Sequence, residues 1–575
     1  MNTHDIIIGM VGSGGDGIVA AGDILATASA SIGLNCLEIK SFGPQIRGGE
    51  SSCIIRMADR PVYSQGGALD VLLSLSWEDY KKFPGELDVK PGVIVVTDEK
   101  EVPEPLPLNG GLKAGEVFKI PFDELVKESG NPKAKNIIAL GVLAELFNLP
   151  ADSLKKSIQT KFGKKKQEIL EANLKALDIG INYAKGQKLG SQLKFEYKTG
   201  KQLCVANGND TIAFGALTAG CRFFASYPIT PASEIMEWMG RELPKFGGTM
   251  VQAEDEISAA CMVTGAGFGG VKAMTATSGP GVSLKIETLG LGSITEIPYV
   301  LVNVQRGGPA TGIPTKSEQA DLMQAVYGMH GDAPHAVLAP ADVEDCFEVA
   351  IRAFNTAEAY QMPVIILSDQ FIGHRKETLP PFDVNKVKIV NRKTPKNPKR
   401  GEYKRYELTD DGVSPMSYPG IEGGEYTCAG IEHNEAGNPA SSHDIHERMS
   451  AKRELKLSRL AKEYKFIRRY GAEKPDIGIL AWGSTKGVVR EAVEIANAKG
   501  KKVAALVPQL MFPLQTELID QFVRSCKKVM IVEMSFSGQF RHYLSSYVKL
   551  PEDIIHVKAS GATMFGVNDI LNKLL

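Results

Sequence analysis

Glu254 stands 24 residues before Ser278 of Thr277-Ser278-Gly279-Pro280-Gly281, and this pairing is the strongest chemical signal in the chain. The stretch EDEISAACMVTGAG reads as a helix, and VKAMTAT as a buried parallel strand running into the TSGPG turn. A glycine-rich turn at a strand's carboxyl end is where open α/β sheets place their ligands, and an acid opening the preceding helix faces the same crevice. The plainer alternative is a carboxylate stabilised by its helix dipole beside a Gly-Pro turn. Tyr227-Pro228-Ile229-Thr230-Pro231-Ala232-Ser233-Glu234 follows the apolar segment AFGALTAGCRFFAS. Thr230 reads as an N-cap, Pro231 as the first helical residue, and Glu234 as a first-turn acid of the helix SEIMEWMGREL. Arg306 ends the strand-like run YVLVNVQR. A guanidinium suits a planar carboxylate better than lysine does, although a strand-end arginine is most often simply solvated. Thr315 begins TKSE, a capping box by pattern, with Lys316 beside it.

A second glycine cluster offers a competing chemistry. Gly12-Ser13-Gly14-Gly15-Asp16-Gly17 follows a strand, opens a helix and satisfies GxGxxG, with Glu38 at the end of the next strand. That is the dinucleotide-binding pattern, and on spacing alone it points to a nicotinamide dehydrogenase using Gly12, Gly14, Gly17 and Glu38. Glycine amides at a helix N-terminus suit any phosphate, so the pattern does not select the ligand. Arg47, with Gly48 and Gly49, offers a guanidinium and bare amides to a phosphate-bearing ligand. His433, His443 and His446 lie near Glu432 and Asp444, but their spacing fits no zinc pattern and a polar loop accounts for them.

The elements that must position these residues belong to a multi-domain α/β chain of 575 residues. Residues 1–186 alternate strands and helices, and 187–202 form a polar, Lys-rich connector. Residues 203–374 carry the motifs above and end in the strand MPVIILSD. Residues 375–470 are Pro-rich and charged, an extended arm followed by the helix HERMSAKRELKLSRLAKEYKFI. Residues 471–575 return to parallel βαβ patterning. Lys plus Arg is 66 and Asp plus Glu 67, a balance that points to neither nucleic acid nor a membrane surface. No apolar run reaches 18 residues, so no spanning helix is expected, and MNTHDIIIGMVG reads as a first strand instead of a signal peptide. Eight cysteines include no CxxC, so the chain carries no signature of an iron–sulfur or zinc site.

In this order, YPITP, Glu254 with TSGPG, and TKSEQADL after QRGGPATGIP resemble the α subunit of the 2-oxoacid:ferredoxin oxidoreductases, over nearly the whole chain. The Glu254–TSGPG part resembles the pyrimidine-binding domain of thiamine diphosphate enzymes, where a glutamate hydrogen-bonds the aminopyrimidine and promotes its imino tautomer. The last segment resembles the transketolase C-terminal domain, and SFGPQIRGGESSCIIRMADRPVYS the family's γ module, which helps bind coenzyme A. The resemblance implies oxidative decarboxylation of a 2-oxoacid to an acyl-CoA, with electrons passed to ferredoxin, or the reverse carboxylation. It implies that Glu254, Tyr227, Pro228 and Ile229 meet thiamine diphosphate, and that Thr230 and Arg306 hold the substrate carboxylate. Thr315 and Lys316 are further substrate candidates, and Gly43, Arg47, Gly48 and Gly49 are coenzyme A candidates. The family's Mg²⁺-diphosphate motif is absent, because no Asn pair follows Gly15-Asp16-Gly17. Mg²⁺, the diphosphate site and a [4Fe-4S] cluster are therefore expected on a partner β subunit of a cytoplasmic heterotetramer. The motifs look most like 2-oxoglutarate members, with pyruvate or a branched 2-oxoacid as alternatives.

Overall fold

Long apolar runs become central strands, and glycine or capping residues end them. In the computed structural model, which describes residues 2–43, 49–83, 85–561 and 564–575, the chain divides into two units. Arg47 and Gly48 lie outside the described residues.

The first unit comprises Met1–Asn207, His374–Phe382 and Phe565–Asp569. Among the described residues its main sheet runs Glu116–Ile120, Val89–Asp98, Leu69–Ser74, Asp5–Gly12, Ser51–Ala58, Asn35–Phe42, Lys376–Leu379, Cys204–Asn207. The sequence reading has no strand at Ser51–Ala58. The structure inserts one there, antiparallel to both Asp5–Gly12 and Asn35–Phe42. Glu38, expected at a strand end, lies inside the strand Asn35–Phe42. Residues 187–202, read as a connector, include Lys194–Phe195, which pairs in parallel with Asn2–Thr3. The helices Ile18–Ser31, Lys135–Phe147, Ala151–Phe162 and Gln167–Gly186 cover an apolar core that includes Ile8, Met10, Leu73, Ile138 and Leu177.

The second unit comprises Gly208–Gly373, Asp383–Met564 and Ile570–Leu575. Its larger sheet runs Thr249–Gln252, Phe223–Ser226, Ala273–Thr277, Tyr299–Gln305, Pro363–Asp369, Ala336–Leu338, Leu510–Phe512 among the described residues. All neighbours are parallel except the last pair. Ala273–Thr277, Tyr299–Gln305 and Pro363–Asp369 are buried at every position, as strands with both faces covered must be. A smaller sheet orders Ile467–Gly471, Val503–Pro508, Ile477–Ala481, Lys528–Glu533 and Ile555–Lys558, with only the first strand antiparallel.

The segment 383–442 has almost no regular structure, and buried charge pairs fasten it and the helix that follows it. Arg392 pairs with Glu358 at 2.6 Å and donates to the Gly267 carbonyl at 2.5 Å, at the carboxyl end of the helix Glu256–Phe268. Lys452, on the helix His443–Glu463, donates to both oxygens of Glu296 at 2.6 and 2.8 Å, and Lys456 bonds the same carboxylate. Burial opposes ionisation of Glu296, but Lys452 and Lys456 hold it well below the usual carboxylate range. Charges buried this way persist only because they are paired. No helix among the described residues is long and apolar enough to cross a membrane.

Candidate functional site

Because six neighbouring strands of the larger sheet are parallel, their carboxyl ends share one edge, and the candidate residues follow those ends. Ser226 is in register with Gln252, so Tyr227 and Ala253 leave the sheet side by side. Ala253 N–H donates to Ser226 O at 2.9 Å. Glu254 follows, exposed, and the next residue caps the helix Glu256–Phe268: Asp255 Oδ1 accepts from Ser258 N–H at 2.7 Å. Tyr227, Pro228 and Thr230 are exposed and Ile229 half-buried beside this turn.

Arg306 is 7% exposed, and its Nη1 donates to the Thr230 carbonyl at 2.6 Å. Burial lowers its pKa, and the charge of Asp321 opposes that. The loop after Arg306 closes on itself: Gly307 N–H donates to Lys316 O at 2.9 Å, and Ile313 N–H to Gly307 O at 2.8 Å. Thr315 and Lys316 are thereby brought back to Arg306, both half-buried.

Two capping expectations are corrected here. Thr230 is not an N-cap, because the helix begins at Ser233 with Ala232 at the cap. The Thr230 and Pro231 carbonyls are bonded outside that helix, to Arg306 and to Asn209 Nδ2. TKSE is not a capping box, since Thr315 and Lys316 lie in the loop closure and the next helix is Leu322–Tyr327.

The edge also carries polar side chains that sequence reasoning passed over. Thr277 is in register with Asn303, and Gln305 with Asp369. Asn303 Nδ2 donates to Asp321 Oδ2 at 3.0 Å, and Gln305 Oε1 accepts from Asp321 N–H at 3.0 Å. Burial raises the Asp321 pKa, with Asn303 and Arg306 opposing. Ser278 Oγ, Asn303 Oδ1, Arg306 Nε and Ser368 Oγ are buried without a hydrogen-bond partner among the described residues. Buried polar atoms normally have partners, so four orphans at one sheet edge fit a site that receives a polar ligand. The available signal was the switch from apolar to polar at the strand ends NVQR and LSDQ.

The first glycine cluster is arranged differently. Ser13 N–H already donates to Asp16 Oδ2 at 2.8 Å, and Ser13 Oγ bonds Asp79. Two carboxylates at this turn oppose a phosphate. Glu38 is 0% exposed, its burial raises its pKa, and Cys53 Sγ lies 3.6 Å from it. It cannot reach a ribose hydroxyl, which removes the geometric support for the nicotinamide reading. Gly43 is buried against Glu50, and Gly49 is half-buried. The histidines have other partners: His433 stacks on Tyr406 with ring centroids 3.9 Å apart, His446 pairs with Glu432 at 2.7 Å, and His443 lies 3.6 Å from Glu447. Among the described residues, no group of three or more His, Cys, Asp or Glu is arranged to hold a metal ion.

Comparison with known proteins gives a consistent set of relatives. The model of pyruvate flavodoxin/ferredoxin oxidoreductase, thiamine diphosphate-binding, matches residues 214–452. Pyruvate ferredoxin/flavodoxin oxidoreductase matches 7–183, and pyruvate:ferredoxin oxidoreductase core domain II matches 475–569. The 2-oxoglutarate oxidoreductase subunit KorA of Mycobacterium tuberculosis is 32% identical, covering 94% of this chain and 87% of the relative. The 2-oxoglutarate synthase subunit KorA of Methanothermobacter marburgensis is 38% identical over 64% of this chain and 97% of its own length. A solved 2-oxoglutarate:ferredoxin oxidoreductase from Magnetococcus marinus, with 2-oxoglutarate, coenzyme A and succinyl-CoA bound, matches with TM-score 0.93 and 39% identity, covering 100% of this chain and 99% of that one.

Proposed function

The chain belongs to the 2-oxoacid:ferredoxin oxidoreductase family, and from that premise we propose that it is the α subunit of a cytoplasmic enzyme converting 2-oxoglutarate and CoA to succinyl-CoA and CO₂ with ferredoxin as acceptor, or running the reverse carboxylation. The observation that carries the reading is the sheet edge of the second unit, where exposed Glu254 stands beside a floor of unpartnered buried polar atoms ending at Arg306. Bound thiamine diphosphate supplies an electron sink for decarboxylation of a 2-oxoacid. Glu254, with Tyr227, Pro228 and Ile229, would hold the aminopyrimidine, the Glu254 carboxylate serving there as a hydrogen-bond and proton-exchange partner. Arg306 and Thr230 grip the substrate carboxylate, and the low-dielectric surroundings of Arg306 strengthen that contact. Thr315 contacts the substrate, and Lys316 takes the distal carboxylate of a dicarboxylic acid. Gly43, Arg47, Gly48 and Gly49 in the first unit contact coenzyme A.

An exposed Glu254 fits a cofactor that a second polypeptide completes. The proposed β partner supplies Mg²⁺, the diphosphate site and the [4Fe-4S] cluster that passes electrons to ferredoxin. The test is co-expression with that partner and a viologen-reduction assay dependent on CoA. Turnover should require both chains, and 2-oxoglutarate should exceed pyruvate and 2-oxoisovalerate in kcat/KM. Equal use of pyruvate overturns the substrate assignment, and NAD⁺ reduction by the lone chain overturns the reaction.

A further inference from the structure

The helix Gly279–Ile294, which starts at the TSGPG turn, carries a lysine whose surroundings are unusual. Lys285 is 0% exposed. Its Nζ donates to the Glu256 carbonyl at 2.9 Å and to Thr275 Oγ1 at 3.2 Å. Among the described residues no carboxylate forms an ion pair with it, whereas the equally buried Lys452 and Lys456 share Glu296. The location is also wrong for a lysine that merely stabilises a helix. Glu256 is the first residue of the helix Glu256–Phe268, and a cation at a helix N-terminus opposes the macrodipole. What the position does offer is the acidic run Glu254-Asp255-Glu256.

The backbone of Glu254 is pinned on both sides. Before it, Ala253 N–H is bonded to Ser226 O. After it, Asp255 caps the helix and the Glu256 carbonyl is bonded by Lys285. The two helices also pack closely here: a Cβ at Gly281 would stand 2.1 Å from Thr277 Oγ1 and 2.9 Å from Glu256 Cγ.

We propose that Lys285 is a positioning residue for Glu254: from the helix of the TSGPG turn it fixes the turn that carries the glutamate and adds positive charge to the acidic helix start that follows it. The proposal rests on the assignment of Glu254 to cofactor binding made above. Burial pushes the Lys285 pKa down to about 8, and Glu256, Asp255 and Cys261, the charged and titratable groups around it, act in the opposite direction. The ammonium is therefore present below that pH and lost above it, while the uncharged amine can still donate to Glu256 O.

Hydrogen exchange on the full chain reads the positioning without any cofactor. Lys285→Met should speed exchange of the amides of residues 254–260 on the order of tenfold, with the rest of the larger sheet unchanged. In the reconstituted complex it should lower kcat on the order of tenfold with thiamine diphosphate content within about twofold of wild type. K285R should keep the charge and move the alkaline limb of kcat upward by about one pH unit or more. K285Q keeps a donor without charge, so it should keep wild-type exchange and lose that limb, and it serves if the methionine variant does not fold. Wild-type exchange and kcat in K285M, or a wild-type pH profile in K285Q, overturns the proposal. E254Q in the same assay separates the two ideas. An inactive E254Q beside an unimpaired K285M rejects only the role of Lys285, whereas wild-type turnover in E254Q rejects both.

Discussion

At Gly12–Gly17 and at Thr277–Gly281 the chain does the same thing locally: a buried strand ends, glycines turn it, and a long helix begins. Their polar groups tell them apart. In the first turn Asp16 takes the Ser13 amide, Asp79 takes the Ser13 hydroxyl, and Asn136 Nδ2 donates to Gly17 O at 2.9 Å. The Ser13 amide, the Ser13 hydroxyl and the Gly17 carbonyl of that turn are therefore taken by its own chain. In the second, Ser278 caps the helix without a side-chain hydrogen bond, and its Oγ has no partner among the described residues. Asn303 Oδ1 and Arg306 Nε are in the same condition on the neighbouring strand and just beyond it. A glycine motif marks where a backbone can approach a ligand; whether it binds one depends on which donors and acceptors remain unmet.

The comparison breaks most easily at Glu254. Glu254→Gln should lower succinyl-CoA formation by about 10²–10⁴-fold, measured as CoA-dependent viologen reduction, with cofactor content less affected. Next comes Arg306→Met, which removes the buried charge proposed to hold the substrate carboxylate. It should cost about 10²-fold in kcat/KM for every 2-oxoacid, and Arg306→Lys should recover only part. Lys316→Ala sharpens the substrate side: KM for 2-oxoglutarate should rise about tenfold while that for pyruvate stays put. Gly17→Ala probes the first turn. Gly17 has φ +76°, and a Cβ there would meet Asn136 Nδ2 at 2.5 Å. The variant should lose about 1–3 kcal/mol of stability, read as a lower Tm, with kcat of the folded enzyme unchanged. A loss of kcat at unchanged Tm would mean that the first turn is the chemical one.

Most of the second unit was legible because its signals are local. Ala273–Thr277, Tyr299–Gln305 and Pro363–Asp369 are apolar runs of strand length, and Asp255 is an N-cap that places Glu254 at a helix entrance. In the first unit SSCIIRMA was missed although it is a strand, because its polar start hides the alternation. Local chemistry also misled. Thr230 and Thr315 have the residue types of caps, yet Arg306 holds the Thr230 carbonyl and Gly307 holds the loop at Lys316. Periodicity, capping chemistry and motif order are carried by neighbours along the chain, so the sequence alone determined the element types, the strand-to-helix turns and the resemblance to a family. Whether a polar atom is satisfied depends on residues that arrive from far away once the sheet order is set. Only the tertiary structure decided that Glu38 is covered, that Asp321 reaches Asn303, and that Lys285 lies under the turn bearing Glu254.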